Sequence, residues 1–375
     1  MRPALRAIAA AGGLLAAAAS PAQAAAAIDC AGRDAPYSVD SPLVDLLLNP
    51  AARAIVDQAT NGRISKMPAQ FVGTQAPTFA AIMSLRSAGM FTGLSAEAIA
   101  ALEPQLRALP VTEADKAARC ARFDNDRPRF ALTHGRPHVL LFQKVNGFFH
   151  ADALPAAKAA FTAMAERKGW DLAVTDRGGA INPATLRQFD VVIWNNNSGD
   201  VLTVSQRAAL KRYIEQGGSF IGLHGAGGDP VYFWDWYADS LLGARFKAHP
   251  MSPQFQEARV VVEARTHPIA KALPAEWRMT DEWYSFRNNP RAAGATVVLT
   301  LDEASYKPLD QMSGDLRMGD HPIAWSKCIG RGKTFYSAIG HRTESYSQPQ
   351  NVALLEAAID WSIDDRQACA AANPR

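Results

Sequence analysis

From His138 onward, short apolar runs alternate with helical stretches, and this alternation restricts the possible folds more than any other feature of the chain. His138–Phe142 (HVLLF) reads as a buried parallel strand, because both faces are apolar. Ala153–Lys168 follows as a helix with Leu154, Ala157, Phe161 and Met164 on one face and Gly169 as its stop. Asp171–Thr175 and Val191–Trp194 give a second and third strand, and Ser219–Leu223 a fourth, after a helix over Val204–Gln216 that Gly217-Gly218 ends. Strands are also expected at Arg259–Val262, Thr296–Thr300, Ile323–Ser326 and Thr334–Ala338, with Gly330-Arg331-Gly332 turning the last two into a hairpin. Asn351–Ile363 is the closing helix. The pattern predicts an α/β unit over residues 138–366, a mostly parallel, doubly wound sheet with helices on both faces.

The preceding chain has a different character. Residues 25–120 read as a small helical domain: Leu43, Val44, Leu46, Leu47 and Leu48 make an amphipathic turn after Ser41-Pro42, and Ser95 opens a helix over Ala96–Leu109. No chemistry-bearing cluster stands out there, so its expected role is structural, as a cover for the larger unit or as a recruiting surface. Residues 121–137, rich in Pro, Arg and Asp, read as a linker. Residues 1–24 have the form of a secretory signal: Arg2 and Arg6, an apolar stretch over residues 7–19, and Ala22-Gln23-Ala24 as the cleavage site. The expected location is therefore periplasmic or secreted. Cleavage there removes two arginines and no acid, taking the net charge from +3 to +1. A charge this small, without basic clusters, argues against nucleic acid as a partner. No later run is apolar enough to span a bilayer. In an oxidising compartment the 4 cysteines are expected to pair. Cys30 with Cys120 and Cys328 with Cys369 is the preferred arrangement of three, since each bond then closes one unit.

In a doubly wound sheet ligands bind beyond the carboxyl ends of the strands. The tips read Asn146-Gly147-Phe148-Phe149-His150, Asn195 to Asp200, Gly222-Leu223-His224-Gly225-Ala226, and Gly340-His341-Arg342-Thr343-Glu344. Each places a His or a carboxylate beside a Gly, whose backbone can turn sharply and approach a ligand. The run ending in His224 has the shape of the strained elbow that presents a nucleophile between a strand and a helix. An imidazole there excludes acyl-enzyme chemistry at that position and leaves proton transfer or metal ligation.

Residues 138 to about 363 resemble the trehalose-utilization (ThuA-like) domain family. The matching stretches include Gly147-Phe148-Phe149-His150, Asn197-Ser198-Gly199-Asp200, Gly217–Ala226, Trp234–Tyr237, His249-Pro250, His267-Pro268, Asp281-Glu282-Trp283-Tyr284, Met318 to Pro322, Ala324-Trp325 and Gly340-His341. The resemblance implies the fold of class I glutamine amidotransferases, with His224 where those enzymes carry cysteine and His341 resembling their catalytic histidine. Glutaminase activity is lost with the thiol. Two positions depart from the family's usual pattern: Phe149 stands where Arg is common, and Gly225 where Ala is common.

The expected catalytic residues are His224, His341, His150 and Glu282. Asp200, Asn197, Asp281, Tyr284, His321 and Trp236 are the expected substrate-binding set, the carboxylates gripping hydroxyls and the aromatic faces stacking on sugar rings. His249 and His267, each before a proline, read as turn residues. A divalent metal is a minority expectation, because the histidines come from separate tips and their spacing cannot test it. With the signal sequence indicating export, the resemblance implies a protein of carbohydrate utilisation acting on a trehalose-like disaccharide or its keto derivative. The expected mechanism is acid–base chemistry in a His-rich pocket, His224 and His341 passing protons and Glu282 or Asp200 orienting the substrate, with a non-catalytic sugar-binding protein as the alternative. The expected partner is a small-molecule sugar; the sequence leaves the oligomeric state open.

Overall fold

The structure is a computed structural model, and it describes residues 28–133, 135, 137–364 and 369. The proposed signal segment lies outside these. Thirteen strands occur in the described chain: β1 (His138–Phe142), β2 (Asp171–Thr175), β3 (Val191–Asn195), β4 (Ser219–Leu223), β5 (Phe246–Ala248), β6 (Phe255–Val262), β7 (Glu276–Glu282), β8 (Ser285–Phe286), β9 (Thr296–Leu301), β10 (Leu309–Asp310), β11 (Gly314–Asp315), β12 (Pro322–Ile329) and β13 (Gly332–Ser337). Nine of them form the central sheet, in the order β2-β1-β3-β4-β13-β12-β9-β6-β7; β5 pairs with β8 and β10 with β11 outside it.

β2, β1, β3, β4 and β13 are mutually parallel, and the four remaining strands continue by antiparallel pairing. Following those pairings across the sheet, only β12 and β6 run against the rest, so the sheet is mostly parallel in direction. One consequence decides where chemistry can sit. β1, β3, β4, β13 and β7 all end at the same rim, although β7 joins through an antiparallel neighbour.

The parallel strands matched their apolar runs because both faces are covered; β3 and β4 are buried throughout. β7 (EWRMTDE) was not expected. It lies at the sheet edge, and its first residues alternate exposed and buried, Glu276 and Arg278 facing out and Trp277 and Met279 in. β6 begins at Phe255, earlier than expected, because its first half carries no apolar run: Phe255 is exposed, Gln256 is buried and Glu257 is exposed. The β12–β13 hairpin forms as expected.

The N-terminal unit is helical and has its own hydrophobic cluster, including Leu43, Leu46, Ala52, Ile64, Leu85 and Leu106. The single helix expected over Ala96–Leu109 is split into Ala96–Ala100 and Glu103–Arg107. Pro104 explains the break, since its ring crowds the carbonyl of Ala100 and it supplies no N–H. The unit is tied to the rim of the sheet. Thr78 donates its N–H to Asn146 at 3.0 Å, and the Asp29 carboxylate accepts from the Ser205 N–H at 2.8 Å. The expected linker anchors by Asp124, whose carboxylate accepts from the N–H groups of Gly178 and Gly179 and pairs with Lys144. Both disulfides have the expected pairing, Cys30–Cys120 and Cys328–Cys369. Among the described residues no helix is long and apolar enough to cross a membrane.

Candidate active site

β4 ends at Leu223, and His224 takes φ +36°, a left-handed conformation that costs a non-glycine residue on the order of 1–2 kcal/mol. The surroundings hold it there. Tyr336 donates its hydroxyl to the His224 carbonyl at 2.9 Å, and Asn196, itself at φ +54°, accepts the Gly225 N–H at 3.2 Å. The helix expected right after the elbow is only a 3₁₀ turn, His224–Gly227; the next element is a π-helix, Trp236–Leu242. Glycines in this turn let rings approach the backbone. A Cβ on Gly225 would stand 2.7 Å from the His150 ring, and one on Gly228 2.5 Å from the Tyr284 hydroxyl.

The imidazole of His224 is fully buried and oriented by its own Nδ1, which lies 2.7 Å from the Ala338 carbonyl. That carbonyl can only accept, so Nδ1 carries a proton, and in the neutral ring Nε2 turns a lone pair inward. Nε2 lies 3.2 Å from His341 Nδ1 and 3.4 Å from Glu282 Oε2, while His341 Nδ1 lies 3.1 Å from the same carboxylate oxygen. His150 completes the group. Its ligand atom and those of His224 and His341 all fall within 4.8 Å of one another, and its buried Nδ1 has no hydrogen-bond partner.

Electrostatics within the cluster are strongly coupled. Burial and the neighbouring imidazoles of His224 and His341 hold His150 well below the usual imidazole range. Burial pushes Glu282 upward, but its hydrogen bonds to His224 and His341 outweigh that and keep it well below the ordinary carboxylate value. His341 shows the reverse: burial lowers it, and Glu282 more than offsets this. Asp281, next in chain to Glu282, faces the other way. Its Oδ1 accepts from the N–H groups of Glu282 and His341, and its Oδ2 from Gly340 N–H and the Ser345 hydroxyl. It therefore fixes the His341 loop onto the end of β7. Tyr284 stacks on His224, ring centroids 4.2 Å apart.

A cavity of about 260 Å³ opens over the cluster, lined on its floor by His150, Glu282, His341, Tyr284, His249 and Gln254. The four expected catalytic residues, with Tyr284, thus converge on one place, and Asp281 supports it from behind. Of the six expected binding residues only Tyr284 lines this cavity; besides Asp281, which braces it from behind, Asp200, Asn197, His321 and Trp236 lie elsewhere. Asp200 is held in a pair with Arg207. Asn197 donates to the Lys144 carbonyl at 2.8 Å, and its neighbour Ser198 lines the cavity instead. His321 lies behind the wall, its Nε2 2.8 Å from the Tyr284 carbonyl and its Nδ1 2.8 Å from Glu303. Trp236 sits on the π-helix against Trp234, with the Lys211 ammonium over its ring.

His249 was read as a turn residue, yet its Nε2 lies 3.3 Å from Glu282 Oε1. No spacing in the sequence signals this, because His249 follows β5, a three-residue strand that lies outside the central sheet. His267 does serve a turn, accepting from the Ile269 N–H. Asp229 was also not singled out. Its buried carboxyl accepts from the Ser198 hydroxyl at 2.6 Å and the Gly199 N–H at 2.7 Å, and burial pushes it up to about 7.

The sequence profile of the ThuA family, described as trehalose utilisation, matches residues 138–362. Among solved structures, a ThuA-like protein from Bacteroides uniformis is 25% identical, with 64% of this chain and 96% of that one covered and a TM-score of 0.55. A ThuA-like protein from Parabacteroides merdae is 17% identical over 61% of this chain and 91% of that one, with a TM-score of 0.46. No protein of curated function matches. With its α/β sheet of amidotransferase-like topology and the profile covering most of its length, the chain belongs to the ThuA, trehalose-utilisation, family.

Proposed function

We propose that the protein is an exported enzyme of carbohydrate utilisation whose site is built from His150, His224, His341 and Glu282 and is suited to a divalent metal ion. One observation carries this reading: the triangle formed by His224 Nε2, His341 Nδ1 and Glu282 Oε2, with edges of 3.1–3.4 Å. Ligand atoms about 2.0–2.1 Å from a tetrahedral ion stand roughly 3.3–3.4 Å apart. Proton counting points the same way. In the neutral form of His224, which a metal ion requires, Nε2 and the Glu282 carboxylate are both acceptors, and the single hydrogen on His341 Nδ1 cannot satisfy both. A cation held by the three atoms would satisfy them all, and the unpartnered Nδ1 of His150 is a further buried ring nitrogen left unengaged.

His224, His341 and Glu282 would hold the ion, with His150 as a fourth donor. Bound there, it supplies Lewis-acid polarisation of a sugar hydroxyl or carbonyl, or of a water molecule. The chain's own residues do the rest. His249 faces the cavity beside Glu282 and can take or give a proton at the bound group. Tyr284, whose buried phenol is held well above its usual range, stays neutral and supports the His224 ring. The family supports a sugar as the substrate class, a trehalose-like disaccharide or a keto derivative; two disulfides and the leader-like start support export.

The experiment is elemental analysis of purified protein followed by turnover assays on glucosides, trehalose and keto-glucosides, before and after chelation. Near-stoichiometric zinc, manganese or cobalt is expected, and turnover that chelation abolishes and metal restores. His224→Ala should remove both metal and turnover. Metal-free protein that binds none of the three ions at micromolar concentration, or a His224→Ala variant as active as the parent, would end the proposal. Sugar binding without any product would make the protein a binding module.

A further inference from the structure

Two cavities of opposite character meet at the histidine cluster. Phe148, His150 and His341 border both of them. The first, already described, is roofed by the N-terminal unit through Phe71, Phe79, Ile82, Met83 and Phe91, and only Ser87 of that roof has a polar side chain. The aromatic rings form a continuous row: Phe91 to Phe71 at 6.4 Å, Phe71 to Phe79 at 5.1 Å, and Phe79 to Phe148 at 5.2 Å between centroids. The second cavity, about 460 Å³, opens beyond His150 and His341 and is bordered by Phe149, Asp152, Phe255, Arg342, Thr343 and Glu344. Phe149 and Phe255 are 52% and 40% exposed there, and Phe255 lies 5.1 Å from the His341 ring.

A pyranose carries hydroxyls on most of its ring atoms, and each one buried without a partner costs on the order of 1–3 kcal/mol. Under the roof a sugar would find polar partners only on its face toward the His150, Glu282 and Gln254 floor, and its other face would meet five apolar side chains and one hydroxyl. In the open groove it would meet two carboxylates, a guanidinium, a threonine hydroxyl and two exposed aromatic faces, the mixture that suits a sugar ring. Resting on the sugar reading above, but with an apolar group in place of the second sugar of a disaccharide, we infer that the substrate is a glycoside with an aryl-type aglycone. The sugar ring occupies the groove between Phe149 and Phe255. The aglycone lies under Phe71, Phe79 and Phe91, and the glycosidic linkage passes His150 and His341. The N-terminal unit, which carries no chemistry of its own, thereby sets specificity.

The test is calorimetric titration of the full chain with methyl and 4-nitrophenyl glucosides, both anomers of each. Burying an aryl ring under the roof should make the nitrophenyl glucoside bind about tenfold more tightly or better. Phe79→Ala should bring the two affinities to within about threefold, and Phe91→Ser, at an exposed position that should leave folding intact, should move the ratio in the same direction. Phe255→Ala should weaken both ligands together. Equal affinity of the two glucosides for the parent protein, or a ratio unmoved by both roof variants, overturns this inference while leaving a sugar site in place. Failure of both glucosides to bind at millimolar concentration overturns it together with the sugar reading.

Discussion

At Gly225 the missing side chain decides whether a histidine can join the cluster. A methyl group there would lie 2.7 Å from His150 Cε1 and 2.9 Å from its Nδ1, closer than non-bonded carbon and nitrogen tolerate. In the sequence Gly225 stands out only as a departure from the family's usual Ala; the structure gives it a steric purpose, because the space is filled by the His150 ring. Gly225→Ala is expected to push His150 aside, cutting metal affinity and turnover by about tenfold or more, at an overpacking cost of roughly 1–3 kcal/mol. Metal titration and thermal melting of the variant measure both effects; unchanged affinity would mean that His150 is not a donor. His224, His341 and His150 were legible because strand ends of a doubly wound sheet share a rim. His249 was not, since it follows β5, a three-residue strand outside the central sheet that is too short for any periodicity to announce.

Among the elements, β7 does most to turn a set of tips into a site. Its edge position hid it from a search for apolar runs, yet Glu282 and Asp281 were recognised as residues before their strand was. Asp281 is fully buried and accepts four hydrogen bonds, three of which join β7 to the loop after β13. Asp281→Asn puts an amide hydrogen pair where one oxygen accepted, stranding one or two donors at about 1–3 kcal/mol each. A drop of about 2–5 kcal/mol in chemical denaturation, with turnover lost alongside, is expected; a variant of parental stability would remove Asp281 from this role. Asp229 makes the corresponding link on the other side, clamping the loop after β3, and its pH behaviour has a definite sign. Its carboxyl is raised to about 7 from an ordinary 3.8, so the folded protein holds the proton more tightly than the unfolded chain. Its contribution to stability is therefore fully present below about pH 4 and declines as pH rises through 7. Asp229→Asn keeps the shape without the charge, so its melting temperature should gain on the parent's between pH 5 and 8. Parallel melting curves across that range would show that Asp229 is not raised.

For the whole molecule, two hydrophobic clusters are built separately, one around the sheet and one within the N-terminal unit, and the candidate aglycone pocket lies between them. The sequence announced two units through its change of pattern near residue 138. It did not announce that they share a cavity, because Phe71, Phe79 and Phe91 look like ordinary core residues until the fold sets them over the rim. The Cys30–Cys120 bond closes the smaller unit across a separation of 90 residues and leaves the larger unit's core untouched. In the chain-entropy account a loop of that size is worth roughly 2–5 kcal/mol, all of it acting on the smaller unit. Cys30→Ser with Cys120→Ser should therefore loosen the roof first. Denaturant titration should separate into two transitions, the earlier one accompanied by rapid amide exchange within residues 28–120 and the later one by loss of the sheet. Should the double variant unfold in one step, with exchange rising together in both units, the roof and the sheet would be a single cooperative body, and the pocket between them would be as rigid as either core.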